Sequence, residues 1–187
     1  MTKEHFVLEL QRIGAIKFGS FTLKSGLVSP FYFDLRDMIS YPKLLDGIAD
    51  LLVEKIKDMD FDILTGIPYT ALPIATLVSS KLNKPFIYMR KEEKAYGTSK
   101  NVIGKFEKGA KCLVIDDLIT TGASKIETAE GLEKEGVVIK DVVVVIDRSS
   151  NGKEELAKYG YNLCSLITLD EIVSLLRNEN LITEEKV

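Results

Sequence analysis

Apolar residues recur along the chain in two rhythms. In the opening stretch MTKEHFVLELQRIG, Phe6, Leu10 and Ile13 fall at helical spacing with polar residues between them, which predicts an amphipathic first helix. Phe21 and Leu23 then alternate with polar neighbours, Ser25-Gly26 marks a turn, and Phe31-Tyr32-Phe33 is strongly strand-forming. FGSFTLKSGLVSPFYF therefore reads as a hairpin-like pair. Pro42 opens a helix reaching about Met59, with Leu44, Ile48, Leu51, Leu52 and Ile56 along one face. Beyond it, short apolar strands at Ile63-Leu64, Phe86–Met89, Cys112–Ile115 and Val142–Ile146, and a weaker one at Leu163–Ile167, alternate with helical stretches near 71–82, 124–135 and 153–159. Strands of Val, Ile and Leu without polar alternation are those buried on both faces of a parallel sheet. The expected fold is α/β: a doubly wound, mainly parallel central sheet with helices on both faces, plus a small N-terminal hood over 1–40. Thr168 with Glu171 predicts a capping box on a last helix, TLDEIVSLLRN, and the polar 178–187 is expected to fray.

Composition narrows the class. A chain of 187 residues, 45% hydrophobic and 28% charged, has enough apolar material for one domain spanning 1–187. Cys112 and Cys164 both lie inside apolar runs, where small buried hydrophobes are the usual reading, and this favours a reducing cytoplasm. No signal-peptide core and no run of about 18 apolar residues is present, so no membrane partner is expected. The net charge of -3 argues against a nucleic-acid partner. The long interruption is RKEEKAYGTSKNVIGKFEKG, residues 90–109, charged and punctuated by glycine where a crossover helix would be expected. Such a segment in a compact domain is more often a lid or a binding loop than a connector.

The chemistry concentrates at VIDDLITTGAS, residues 114–124. An apolar strand runs into Asp116 and Asp117, and Thr120-Thr121-Gly122-Ala123-Ser124 then leads into a helix. Backbone N–H groups and hydroxyls converging on a helix start make a cradle for phosphate. Carboxylates repel phosphate, so the aspartates address something else: a ribose diol on the same ligand, or a metal ion beside it. The plain alternative is a helix cap followed by a surface turn. Neither a P-loop nor a dinucleotide fingerprint is present, and the sole histidine, His5, reads as a surface residue of the first helix.

CLVIDDLITTGAS resembles the signature of the type I phosphoribosyltransferases, which use 5-phosphoribosyl 1-diphosphate (PRPP). FGSFTLKSGLVSPFYFDLR, GIPYTALPIA, RKEEKAYGTSKNVIG and VVVVIDR, in that order, are similar to the orotate-specific members, so the likeness spans about residues 12–177. It implies transfer of phosphoribose from PRPP to orotate, Mg2+ held mainly by the ligand with Asp117 as its candidate protein contact, and a cytoplasmic homodimer whose active-site loop is shared across subunits. For PRPP it implies Lys24, Tyr69, Thr70, Arg90, Lys91, Lys94, Tyr96, Asp116, Asp117 and the run Leu118, Ile119, Thr120, Thr121, Gly122, Ala123 and Ser124. For orotate it implies Lys24, Tyr32, Phe33, Thr120 and Arg148. The catalytic set is Lys94, Arg90 and Lys91 with Asp116 and Asp117, because cations carried in by a closing loop stabilise the departing diphosphate. Thr70 and Tyr96 stand where many bacterial members carry Lys and His. GIPYTALP and Tyr96 resemble animal members, in which this domain is fused to a decarboxylase. Two other readings have less support: the FTLKSG and SPFYF segments weigh against transfer to a purine, and the acidic balance weighs against a nucleic-acid-binding regulator. Beside Arg148, Asp147 could hold the guanidinium in a mere surface ion pair.

Overall fold

A computed structural model describes residues 1–22, 28–90 and 101–182. Helix α1 (Lys3–Arg12) is capped by Thr2, whose hydroxyl accepts from the His5 N–H, and it buries Phe6, Val7 and Leu10. Strands β1 (Ile16–Thr22) and β2 (Val28–Phe33) pair antiparallel with Ile16 opposite Phe33, forming the hairpin of the hood. A 3-10 turn at Arg36–Ser40, which the pattern did not announce, leads to α2 (Pro42–Ile56). Proline opens α2 as expected, since its missing N–H would have had no partner there, and the helix stops at Ile56 rather than near Met59.

The remaining elements are β3 (Ile63–Gly66), α3 (Ala71–Leu82), β4 (Phe86–Met89), β5 (Val102–Ile103), β6 (Lys111–Ile119), α4 (Ala123–Lys134), β7 (Val138–Asp147), α5 (Gly152–Ala157), β8 (Asn162–Thr168) and α6 (Leu169–Asn178). They build a six-stranded sheet in the order β5-β4-β3-β6-β7-β8, parallel except for β5, which pairs antiparallel with β4. Two apolar layers cover it. One joins Leu64, Leu113, Ile115 and Val143 to α1, α2, α3, α6 and the hood; the other joins Ile63, Val114, Val142 and Val144 to Ala129 and Leu132 of α4 and Leu156 of α5. The doubly wound α/β fold is the one expected. Among the described residues no helix is long and apolar enough to cross a membrane.

Three expectations change. The segment 90–109 is not wholly irregular, because β5 lies inside it and returns along β4. Strand β6 does not stop before the acid pair: it continues to Ile119, with Asp116 opposite Val144 and Leu118 opposite Ile146. A ladder is made by backbone groups, so a carboxylate ends a strand only if its charge has nowhere to go. At the C-terminus, Leu181 donates its N–H to the Leu176 carbonyl and Ile182 is buried in the first apolar layer, so the chain past α6 packs rather than frays as far as it is described. Thr168 and Glu171 do form the reciprocal capping box on α6.

Topology selects one place for a ligand. From β3 the chain moves outward to β4, returns through β5, and crosses to β6 on the other side of β3 before moving out to β7 and β8. The connections diverge between β3 and β6, and ligands of open parallel sheets bind at such a switch point, beyond the carboxyl ends of the strands. The loops leaving those two ends are 67–70 and 120–122.

Candidate active site

Beneath the hood, a cavity of about 420 Å³ is lined by Thr22, Tyr32 and Phe33 from the hairpin, by Leu118, Thr120, Thr121, Gly122, Ser124 and Lys125 around the start of α4, and by Arg148 after β7. Gly122 takes φ +86°, a left-handed turn that suits glycine, and this swings the chain from β6 into α4. Its carbonyl accepts the Lys125 and Ile126 N–H groups, so the first N–H groups of α4, at Ala123 and Ser124, face outward as a helix start presents them. That is the glycine-turned helix start expected from TTGAS. Ile119 is the exception in this run: fully buried, it packs in the apolar layer with Leu156 and belongs to the core.

The acid pair is more elaborate than its sequence suggested. Asp116 continues the alternation of Cys112 and Val114, so it lies on the face covered by α4. There Lys125, in the first turn of α4, meets it: Nζ is 2.5 Å from Asp116 Oδ2, and both side chains are under a tenth exposed. The same ammonium donates to the Leu118 carbonyl and, at 3.3 Å, to Ser124 Oγ. Asp116 Oδ1 accepts the Asp117 backbone N–H at 2.8 Å. Removing one partner from such a buried pair costs about 3–5 kcal/mol, because the other is left as an uncompensated charge. Burial, and then the neighbouring Asp116 charge, push the Asp117 carboxyl up to about 7, while Lys125 pulls it down.

Lys125 was not anticipated, although the sequence carried a signal. A cation in the first turn of a helix opposes the helix dipole, and α4 has no acidic residue there to offset it. A local rule broken without a local gain commonly marks a site.

Arg148 lines the same cavity from the end of β7. Its guanidinium lies 5.6 Å from the centre of the Phe33 ring and donates to Ser29 Oγ at 3.3 Å, and burial lowers its pKa. Asp147 is engaged elsewhere, accepting the Ser149 N–H and hydroxyl at 2.8 and 2.5 Å, so the surface ion pair with Arg148 does not form. In the hairpin, Phe31 is core, edge-on to Phe18, whereas partly buried Tyr32 packs against Phe21.

The second loop begins at Gly66, where an added Cβ would stand 2.9 Å from the Ala71 carbonyl oxygen; only glycine lets β3 and α3 approach so closely. A cis peptide joins Pro68 to Tyr69, and Tyr69 and Thr70 line a cavity of about 660 Å³ with Arg36. Arg36, which sequence reasoning passed over, is the cation on this side, forked onto Asp34 at 2.7 Å through both Nε and Nη2. Arg90 follows β4 directly, its N–H donated to the Asn101 carbonyl at 2.9 Å. Lys24, Lys91, Lys94 and Tyr96 lie outside the described residues. No cluster of three or more His, Cys, Asp or Glu side chains able to hold a metal ion occurs among the described residues.

The phosphoribosyl transferase domain family matches residues 37–179. An orotate phosphoribosyltransferase of Caenorhabditis elegans is 39% identical over 97% of this chain and 81% of its own length. Bovine uridine 5'-monophosphate synthase is 42% identical over 97% of this chain, and the chain spans 38% of that protein. The crystal structure of orotate phosphoribosyltransferase from Aeropyrum pernix superposes with a TM-score of 0.81 at 30% identity, covering 95% of this chain and 99% of the other. The acid pair, the glycine-turned helix start and the hood belong together for this reason: the chain is a member of the phosphoribosyltransferase family, on its orotate phosphoribosyltransferase branch.

Proposed function

We propose that the protein transfers the 5-phosphoribosyl group of PRPP to orotate, giving orotidine 5'-monophosphate and diphosphate for pyrimidine nucleotide synthesis. The observation that carries this reading is the cavity under the hood, where the start of α4, the buried Lys125 that holds Asp116, and the Arg148 guanidinium converge. The α4 start holds the 5-phosphate, Asp116 and Asp117 accept from the ribose hydroxyls, and the loop with Tyr69 and Thr70 receives the diphosphate. Tyr32 and Phe33 flank the pyrimidine while Arg148 pairs with its anionic edge. The orotate ring nitrogen forms a bond to the anomeric carbon as the bond to diphosphate breaks, and the electron pair leaves with the diphosphate. No side-chain nucleophile is needed: the residues position both reactants and exclude water while positive charge develops on the sugar.

Mg2+, when bound with PRPP, supplies charge neutralisation for the departing diphosphate. The donor set fits a metal that arrives on its ligand, since no metal cluster occurs among the described residues and Asp116 is already paired with Lys125. Arg90, Lys91 and Lys94 bring further positive charge to the diphosphate, and Tyr96 donates to its oxygens. The loop is shared within a homodimer, as the likeness to the orotate-specific members implies. Purified protein supplied with Mg2+, PRPP and orotate should deplete orotate absorbance only when PRPP is present. A well-folded preparation with no such turnover would defeat the assignment.

A further inference from the structure

Lys125 is expensive where it stands. A buried ammonium loses its hydration, and in the first turn of a helix it also opposes the dipole. The rest of the buried face of α4 is served by Thr128, Ala129 and Leu132, so packing alone does not call for a cation. Yet Lys125 is only 5% exposed, it lines the cavity, and its ammonium is directed onto Asp116 Oδ2, the Leu118 carbonyl and Ser124 Oγ. Two adjacent carboxylates at a ligand site would otherwise invite a divalent ion.

We propose that Lys125 is a built-in counter-ion of the acid pair: it fixes Asp116 as a ready-oriented acceptor for a sugar hydroxyl and fills the role a divalent cation would take there. The free enzyme then binds no divalent metal at the pair. This rests on the PRPP reading of the site and assigns Lys125 as a positioning residue that acts through Asp116.

The test is Mn2+ binding to the protein without PRPP, read by the loss of the free-ion EPR signal, together with steady-state kinetics. Wild type should leave added Mn2+ free. Lys125→Met should take up Mn2+, lose that uptake when Asp117→Asn is added, and show a PRPP KM raised roughly tenfold to a hundredfold with the orotate KM unchanged. Mn2+ bound by unliganded wild type and released by Asp117→Asn overturns the proposal, and so does a Lys125→Met variant unchanged in both Mn2+ uptake and PRPP KM. If Lys125→Met does not fold, the wild-type measurement alone decides. Orotate turnover in the same preparation separates the two readings: no turnover defeats the PRPP assignment, whereas turnover with Mn2+ already on the free enzyme defeats only the role of Lys125.

Discussion

Replacing Asp117 with asparagine should stabilise the unliganded protein, and by more as the pH rises. Burial and the Asp116 charge raise the Asp117 carboxyl from 3.8 to about 7. A carboxyl raised in the folded state keeps a proton that the unfolded chain releases, so stability falls with pH between those two values. The penalty is absent below the unfolded value, grows across the window and is complete above the folded one. A gap of about 3 pH units corresponds to about 4 kcal/mol. Water on the open side of the site reduces this to about 2–3 kcal/mol. Asparagine cannot ionise and escapes the penalty, while any fixed cost of exchanging an oxygen for an amide is the same at every pH and cancels in the difference. Urea unfolding of both proteins at about pH 5 and about pH 8, compared at constant m, should show the advantage of the variant growing by about 2 kcal/mol. An advantage that is equal at the two pH values, or that shrinks, would refute the account of the acid pair given above.

Further outcomes follow from the same geometry. Arg148→Ala removes the guanidinium from above Phe33 and should raise the orotate KM roughly tenfold to a hundredfold, the value of a charged hydrogen-bonded contact, with the PRPP KM unchanged; equal effects on both would disprove its place at the base. Lys94→Ala should lower kcat by roughly a hundredfold to a thousandfold with little change in PRPP affinity. If the loop crosses between subunits, mixing Lys94→Ala chains with Asp117→Asn chains should restore part of the activity, and no recovery would place the loop over its own subunit. Thr168→Ala loses one half of the α6 capping box and should cost about 1 kcal/mol in urea unfolding with turnover unaffected; a loss of kcat would mean α6 does more than support the sheet.

The strands at Ile63-Leu64, Phe86–Met89 and Val142–Ile146 were legible because a parallel strand covered on both faces must be apolar without alternation, and short runs rich in β-branched and aromatic residues favour strand over buried helix. The turn into α4 was legible too, since hydroxyls and a glycine commonly stand where a strand gives way to a helix. What escaped notice depends on distant partners. Strand β6 outlasts its apolar run because β7 offers it a matching backbone edge as far as Asp147, and no property of Asp116 itself reveals that edge. Lys125 was passed over because its partner, Asp116, meets it only once the fold lays α4 across β6. Strand β5, only Val102–Ile103, is too short to leave a periodic trace and exists because β4 has an open edge beside it. Arg36 was overlooked because the loop it faces lies after β3, a neighbour in space and not in sequence.

The bond from the Arg90 N–H to the Asn101 carbonyl, backed by the β4–β5 ladder, has a bearing on how this protein can be varied. It clamps together the two points between which residues 91–100 run, so the sheet does not sense how many residues the interval contains. Doubling the length of such a closed interval costs only about 0.6 kcal/mol in chain entropy. Changes of length between those two points should therefore leave the register of the strands intact, which separates what the fold requires there from what catalysis asks of Lys91 and Lys94.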